Sequence, residues 1–310
     1  MKIVSFLPAA TKMIYDMGLE DQLYAVTFEC PKEAADLPKV VRYVLEGNTY
    51  TSEEIDQIFS ASKAQGKHMY WVDEEIMESI APDIIFTQDT CEVCLIDTTC
   101  TLAAIANLPK QPKLVSLSPN TLDDVFECAV TIARALGKEE VAYQYLAGLK
   151  KKTDAIIDKL RAYNAPLKRV MLMEWIQPIY NCGHWIPYQI AIAGGIDMLS
   201  NPAGDSVVNK WEKIRKYNPE VLVIAPCGFD KHRSLQEMHL LTALPGWGEL
   251  EAVRRNAVYI VDFDLFTQPS IGTLIKGVEV LSCVFHPEIF KADEILQECF
   301  MHYDAALVKR

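Results

Sequence analysis

The chain alternates between short apolar runs and longer segments in which apolar residues recur at helical spacing. In the first half, the runs that we predict to be strands are Lys2–Leu7, Leu23–Glu29, Lys39–Val44, Asp83–Gln88 and Lys113–Ser118. In the second half they are Arg169–Trp175, Val221–Cys227 and Val258–Phe263. Such nearly continuous apolar or β-branched runs are typical of strands that are covered on both faces. Because they alternate with helical segments, the pattern predicts an α/β protein with parallel sheets.

The longest helical pattern lies at the middle of the chain. A helix capped by Asn120 ends at Gly137, and the next pattern runs from Glu139 to about Asn164. A helix of that length spans roughly 35–40 Å. We interpret residues 138–166 as a linker helix between an N-terminal α/β lobe, 1–137, and a C-terminal α/β lobe, 167–310. The alternative is a crossover helix inside a single large sheet.

Composition narrows the class of partner. Half of the 310 residues are hydrophobic and the formal net charge is −12. Binding to phosphate backbones requires a basic surface, so the charge argues against a nucleic-acid partner and suits a small-molecule ligand. No apolar stretch is long enough for a membrane span, so we do not expect insertion into a membrane.

The first residues and the cysteines both favour a cytoplasmic protein. Met1-Lys2 leads directly into a short apolar run that Pro8 ends, which is too short for the core of a signal peptide. The chain has nine cysteines, an odd number that cannot all pair within one chain, and they do not have the spacing of a small disulfide-rich secreted domain. We therefore expect a cytoplasmic location, or a periplasmic or surface location only if a signal has been removed.

Unusual side chains follow the predicted strands, where parallel α/β sheets bind their ligands. Four aromatic residues there would offer flat apolar walls to a planar or macrocyclic ligand: Trp175, Trp185, Phe229 and Phe266. Glu174 lies at the end of the predicted strand Arg169–Trp175 and His184 follows it, so the two could serve as an acid/base pair. Alternatively, some of these rings only close the ends of the sheet, and Glu174 only orients a ligand or forms an ion pair.

Cysteine and histidine residues at the strand ends suggest a second kind of chemistry. Cys91 and Cys94 have the two-residue spacing that lets both sulfurs reach one ion or each other. Candidate metal ligands are Cys30, Cys91, Cys94, His184 and Cys227. Three interpretations remain open: plain thiols that line the site, a Zn or iron–sulfur centre, or a redox pair. The chain has no Walker A motif, no Gly-x-Ser-x-Gly and no Gly-x-Gly-x-x-Gly after the first strand.

Several stretches together resemble one protein family. The opening Ile3-Val4-Ser5-Phe6-Leu7-Pro8-Ala9-Ala10-Thr11 is similar to the first strand and helix of periplasmic cobalamin- and iron-chelate-binding proteins. Ala81-Pro82-Asp83 and Asn218-Pro219-Glu220, each before a strand, resemble a paired element of that family. A subgroup without an export signal shares stretches similar to Thr27-Phe28-Glu29-Cys30, Phe86-Thr87-Gln88, Gly183-His184-Trp185 and Ala225-Pro226-Cys227-Gly228-Phe229.

The resemblance implies a class III periplasmic-binding-protein fold, with two Rossmann-like lobes joined by one long helix and a ligand cleft between them. It adds Glu29 and Gln88 to the expected ligand contacts, beside Cys30, Glu174, Trp175, His184, Trp185, Cys227, Phe229 and Phe266. It also implies an ABC permease that docks on acidic residues, for which Glu53, Glu54, Glu74 and Glu75 are candidates.

Our main hypothesis is the non-catalytic binding of a corrinoid such as cobalamin, or of a related metal chelate. The protein would act as a transporter-type substrate-binding protein or as an intracellular carrier. The alternative is a cytosolic enzyme on the same scaffold, in which the cysteines hold a metal or a cluster. The resemblance favours binding over catalysis.

Overall fold

A computed structural model describes residues 1–47, 49–65, 67, 69–88, 102, 105–106 and 108–304. The chain divides into two compact units. The first comprises Met1–Pro119 and Asp123–Ala147, and the second comprises Asn120–Leu122 and Gly148–Arg310. The predicted domain bounds at 137 and 167 remain a prediction.

The first unit is built on a six-stranded sheet with the order β4-β3-β2-β1-β5-β6. Neighbouring strands are parallel except for the antiparallel pair β3–β4. The strands are β1 (Ile3–Ser5), β2 (Leu23–Thr27), β3 (Lys39–Tyr43), β4 (Tyr70–Val72), β5 (Ile84–Thr87) and β6 (Lys113–Ser116). The fully buried β1 lies between β2 and β5, which explains its unbroken apolar character.

The helices of the first unit begin where local signals place them. They are α1 (Pro8–Asp16), α2 (Ser52–Ala64), α3 (Glu74–Ile80) and α4 (Leu122–Ala135). Pro8 occupies the first turn of α1, where its missing N–H costs no hydrogen bond. Thr51 and Glu54 form a reciprocal capping box at the start of α2, and Asp73 caps α3 by accepting from the amide of Ile76.

The second unit contains a seven-stranded sheet with the order β12-β8-β7-β13-β14-β15, in which β10 also pairs with β7. Strands β7, β13 and β14 are parallel and form its centre. The strands are β7 (Lys168–Trp175), β8 (Tyr180–Asn181), β9 (Gly183–His184), β10 (Gly195–Ile196), β11 (Asn201–Pro202), β12 (Val207–Val208), β13 (Val221–Ile224), β14 (Val258–Val261) and β15 (Phe300–His302). Strands β9 and β11 form a separate two-stranded pair.

The helix α5 (Glu139–Ala162) follows α4, and the remaining helices belong to the second unit. They are α6 (Ile186–Ile192), α7 (Trp211–Tyr217), α8 (Lys231–Thr242), α9 (Glu251–Arg254), α10 (Asp264–Thr267), α11 (Ile271–Phe285) and α12 (Glu294–Gln297). Asp230 caps α8 and Asp293 caps α12. None of the helices in the described part of the chain combines the length and apolar character that a membrane span requires.

The α/β prediction is confirmed, and so is the long central helix. The strands before and after α5 belong to different sheets, which excludes a crossover helix inside a single sheet. The predicted strands are one to three residues too long at several ends. The sequence pattern missed β4, β15 and the two-residue strands between β8 and β12, because periodicity cannot be detected in two or three residues.

Candidate functional site

The carboxyl ends of the parallel strands are the edges at which an α/β sheet meets its ligand. In the first unit, the carboxyl ends of the parallel strands β2, β3 and β5 lie at this edge. In the second unit, the carboxyl ends of β7, β13 and β14 lie at the equivalent edge. The predicted site residues lie at or after five of these strand ends, those of β2, β5, β7, β13 and β14.

Cys30 and Glu29 follow β2 in the first unit. The Sγ atom of Cys30 lies 3.4 Å from Oγ1 of Thr11, in the first turn of α1, and burial raises the pKa of the thiol. A protonated thiol is a weak metal ligand and a weak nucleophile. Glu29 is exposed, yet the protein packed around its carboxyl raises its pKa to about 7. These groups are therefore suited to line a site rather than to hold a metal ion.

Three aromatic rings at the same edge were not selected from the sequence. Phe28 stacks on Tyr43 with ring centroids 5.2 Å apart, and Tyr43 stacks on Tyr70 with centroids 5.1 Å apart. Phe28 and Tyr70 are 6.0 Å apart, so the three rings form one stack. The sequence pattern could not reveal this contact, because it depends on β2, β3 and β4 being neighbours in the sheet.

The remaining predicted residues of the first unit follow β5. Gln88 is buried directly after this strand. Cys91 and Cys94 lie outside the described residues. Their predicted metal or redox role is thus not tested by the structure.

A second aromatic cluster lies at the carboxyl edge of the second unit. The ring of Trp175, the last residue of β7, is 5.2 Å from the ring of Phe229, which follows β13. Arg233, in the first turn of α8, also contacts Phe229: its guanidinium carbon lies 4.4 Å from the centre of the Phe229 ring. Arg233 also donates to the buried carboxylate of Glu237 at 2.6 Å. Phe229 is thereby buried, whereas Trp175 keeps part of its surface open.

Glu174 precedes this cluster on β7 and accepts two hydrogen bonds. One of its carboxylate oxygens, Oε2, accepts from the amide of Gly183 at 3.3 Å and from the hydroxyl of Ser206. Burial raises the pKa of its carboxyl to about 7, and the two hydrogen bonds offset only part of that effect. The carboxyl is therefore committed to neighbouring protein groups.

His184 is the last residue of β9, and Trp185 connects β9 to α6. The two rings are 5.4 Å apart, and the indole N–H of Trp185 donates to the carbonyl of Phe266 at 2.6 Å. Burial lowers the pKa of His184, which favours the neutral imidazole at pH 7. Its Nε2 lies 4.0 Å from a carboxylate oxygen of Asp205, while its Nδ1 is buried without a hydrogen-bond partner among the described residues.

Two predicted contacts are placed differently from expectation. The side chain of Phe266 is fully buried, so its ring closes the protein interior and offers no surface to a ligand. Trp185 is also buried, at 8% exposure. Cys227 is only partly buried, and its amide donates to the carbonyl of Glu174 at 2.9 Å, which places it beside the end of β7. Burial thus removes Phe266 from the predicted aromatic wall.

The predicted metal-binding role is not supported. Within the described ranges, which omit Cys91 and Cys94, no three His, Cys, Asp or Glu side chains are grouped so that they could hold a metal ion. The cysteines that are described are free thiols: Cys30, Cys128, Cys182, Cys227, Cys283 and Cys299. Cys30 belongs to the first unit, and Cys227 and His184 belong to the second. The metalloenzyme alternative therefore gains no support from these residues.

The four glutamates predicted to meet a permease are exposed. Glu53 and Glu54 occupy the first turn of α2, and Glu74 and Glu75 occupy the first turn of α3. Negative charge at a helix N-terminus is favourable in itself, which is a sufficient structural reason for both pairs. Their docking role remains a prediction.

Comparison with known proteins agrees with the resemblance noted from the sequence. A family model described as "Periplasmic binding protein" matches residues 3–265. The uncharacterized ABC transporter substrate-binding lipoprotein YvrC of Bacillus subtilis (strain 168) is 26% identical over 304 residues. The alignment covers 94% of this chain and 81% of that protein.

Two solved structures illustrate the shared fold. A periplasmic heme binding protein from Pseudomonas aeruginosa has a TM-score of 0.71 at 16% identity, and the match covers 95% of this chain and 96% of that one. The periplasmic vitamin B12 binding protein BtuF of Vibrio cholerae has a TM-score of 0.62 at 18% identity, with coverage of 92% and 96%. At such identities the likeness concerns the fold.

The predicted cytoplasmic location is wrong. The matching family is described as periplasmic, and the Bacillus relative is named a lipoprotein. The error arose from treating the first apolar run as evidence about targeting. That run is β1, a buried strand inside the sheet, so its length reflects the fold and carries no information on export.

Proposed function

Because the chain belongs to the periplasmic binding protein family, we propose that it is the substrate-binding component of an ABC-type transport system. We further propose that its ligand is a corrinoid or a related metal chelate with a planar macrocycle, such as haem. Relatives with the same fold bind haem and vitamin B12, which supports this ligand class. A permease would then be the protein partner, with Glu53, Glu54, Glu74 and Glu75 as candidate docking residues.

The observation that carries this proposal is the aromatic cluster at the carboxyl edge of the second unit. Phe229 is fixed between Trp175 and the guanidinium of Arg233, which leaves the partly open Trp175 ring as the accessible member. A rigid indole face buries a large apolar area and stacks well on a planar macrocycle. The edge thus offers a preformed flat surface, which costs little entropy on binding.

His184 supplies the polar complement to this surface. Its Nδ1 is buried, so Nε2 is the ring nitrogen that remains available to a ligand. The lowered pKa keeps the imidazole neutral, which is the form that coordinates iron or cobalt. We therefore assign His184 as the residue that approaches the metal of the chelate. Cys227 remains a second candidate, and Glu29, Cys30 and Gln88 remain predicted contacts from the first unit.

An absorbance titration tests the proposal directly. The purified protein is titrated with hydroxocobalamin, cobinamide and hemin, and we expect saturable binding of at least one chelate with a Kd of about 1 μM or tighter. His184→Ala should weaken binding and shift the absorbance band of the bound chelate, because an axial ligand changes the electronic spectrum of the metal.

A matched pair of tryptophan variants provides the control. Trp175→Leu should weaken binding about tenfold or more, because the stacking face is lost. Trp211→Leu removes a half-buried tryptophan that stacks on Trp247 instead, and it should bind like the wild type. Affinities no tighter than about 1 mM for all three chelates would remove the ligand assignment.

A further inference from the structure

The segment that carries His184 is held by a carboxylate from the strand before it. After β7, residues 176–210 form β8 to β12 and α6 before α7 begins. Within this segment, β9 and β11 pair in parallel, with Gly183 opposite Asn201 and His184 opposite Pro202. The conformation of His184 therefore depends on how these two short strands are kept together.

Glu174 contacts both arms of this pairing, which are β9 on one side and β11 with the residues that follow it on the other. It accepts from the amide of Gly183, directly before His184, and from the hydroxyl of Ser206, in the turn that follows β11. A single carboxylate oxygen thus joins the two arms. The bond from Gly183 is long at 3.3 Å, and both bonds are strongest when the carboxyl is ionised.

The arms are also in close backbone contact. A Cβ atom on Gly183 would lie 2.3 Å from the carbonyl oxygen of Gly204 and 2.7 Å from the amide nitrogen of Ser206. The amide of His184 donates to the carbonyl of Gly204 at 2.7 Å, and the amide of Ala203 donates to the carbonyl of His184 at 3.0 Å. Glycine at position 183 is therefore required by space.

His184 itself adopts an unfavourable backbone conformation. Its φ is +52°, in the left-handed region that a residue with a side chain seldom occupies. Such a conformation persists only where the surrounding contacts enforce it, and it occurs often at ligand sites. The two hydrogen bonds to the adjacent arm and the contact of Gly183 with Glu174 provide that enforcement.

We propose that Glu174 is a positioning residue, which through Gly183 and Ser206 fixes His184 in its ligand-facing conformation. This role is an alternative to the direct ligand contact that the sequence suggested for Glu174, and it rests on the two hydrogen bonds that Oε2 accepts from protein groups. The inference rests on the proposed function in one respect, which is that His184 meets the chelate. The contact among Glu174, Gly183 and Ser206, which we call the Glu174 latch, is a property of the second unit alone.

Ser206→Ala tests the latch without removing Glu174 or His184. Two measurements are made on the full chain: hydrogen exchange of the segment 182–185, and absorbance titration with hemin and hydroxocobalamin. We expect faster exchange in this segment, an affinity about tenfold weaker, and a shifted absorbance band of the bound chelate. Ser206→Thr keeps the hydroxyl and should restore wild-type values for all three.

Ser200→Ala is the matched control. Its hydroxyl lies in the same segment and donates to the carbonyl of Asp197 at 2.7 Å, and Asp197 is not part of the latch. It should leave the exchange of 182–185, the affinity and the absorbance band close to those of the wild type. The same losses in Ser200→Ala as in Ser206→Ala would overturn the proposal, because they would indicate general loosening of the segment.

The remaining outcomes separate the latch from the proposed function. Wild-type exchange and affinity in Ser206→Ala overturn the latch. Weaker binding with unchanged exchange also overturns it, because Ser206 would then act on the ligand directly. If the wild type binds neither chelate, the ligand assignment fails, and exchange alone decides the latch: faster exchange at 182–185 supports it and unchanged exchange overturns it.

Discussion

The carboxyl edges of the two sheets are built by different means. In the first unit, the edge is closed by the stacked rings of Phe28, Tyr43 and Tyr70, which pack against the apolar core. In the second unit, the chain continues past β7 into the segment 176–210, which is fixed by the carboxyl groups of Glu174 and Asp197. The first edge thus relies on apolar contact, whereas the second edge has buried polar contacts in addition to its aromatic cluster.

The difference matters because the two kinds of contact have different energetic character. Stacked rings tolerate small displacements, since dispersion is only weakly directional. A buried carboxylate must keep its donors, because loss of a partner leaves a polar group without compensation. Asp197 accepts from the amides of Leu172 and Leu199 and from the side chain of Asn181. The positions of the residues in the segment 176–210 are therefore specified more narrowly than those of the stacked rings in the first unit.

The largest expected effect concerns Asp197. Burial raises the pKa of its carboxyl from 3.8 to about 6 despite its hydrogen bonds. A raised pKa means that the protonated form is favoured by folding, so this stability is present below pH 3.8 and is lost as the pH rises through 6. Relative to Asp197→Asn, which cannot titrate, the wild type should lose about 2 kcal/mol between pH 4 and pH 7.

Urea unfolding of both proteins at several pH values measures this difference. The constant offset between the two proteins reflects the altered hydrogen bonds of the amide, so the prediction concerns the slope alone. Asp158→Asn, at an exposed position in α5, should follow the wild type within about 0.5 kcal/mol. A wild type that gains stability with rising pH, relative to Asp197→Asn, would mean that the donors outweigh burial.

The first edge is tested by Tyr43→Leu. This change removes the central ring of the stack, and we expect a loss of about 1–2 kcal/mol in the free energy of unfolding. Affinity for the chelate should change by less than about threefold, because we assign this stack to packing. Trp175→Leu should show the reverse pattern, with a larger loss of affinity than of stability.

Tyr163→Leu serves as the reference for Tyr43→Leu. Tyr163 is 64% exposed, so its replacement should alter stability by no more than about 0.5 kcal/mol. Should Tyr43→Leu weaken chelate binding tenfold or more, the stack of the first unit would have to be counted as ligand surface. The two edges would then differ in how they are built but not in whether they bind the ligand.

Much of the fold could be predicted because its signals are long or local. The run Val221–Ile224 is continuously apolar since β13 is buried on both faces, and Glu139–Ala162 is long enough for helical spacing to be evident. The segment 176–210 could not be predicted in the same way. Its strands have two residues each, and the contacts that hold them, such as Glu174 to Ser206, join residues far apart in sequence.

The candidate site shows the same limit. Sequence position placed Trp175 and Phe229 at neighbouring strand ends, and their rings are in contact. It could not distinguish Phe266, whose side chain is fully buried, because that burial depends on how α10, which carries Phe266, packs against α11. It also could not reveal that Glu174 is occupied by Ser206, since Ser206 is an ordinary loop residue in the sequence.

The smallest expected effect is that of Arg233→Lys, which addresses the polar side of the second aromatic cluster. Lysine keeps the charge and can still reach Glu237, but it loses the planar guanidinium that lies 4.4 Å from the Phe229 ring centre. We expect a loss of about 0.5–1 kcal/mol in unfolding free energy and a two- to fivefold weaker chelate affinity, because Phe229 supports Trp175 less firmly. Arg161→Lys, at an exposed ion pair with Asp158, should change neither quantity measurably. An Arg233→Lys protein with wild-type stability and affinity would show that the guanidinium does not hold the ring, and that Phe229 is fixed by its burial alone.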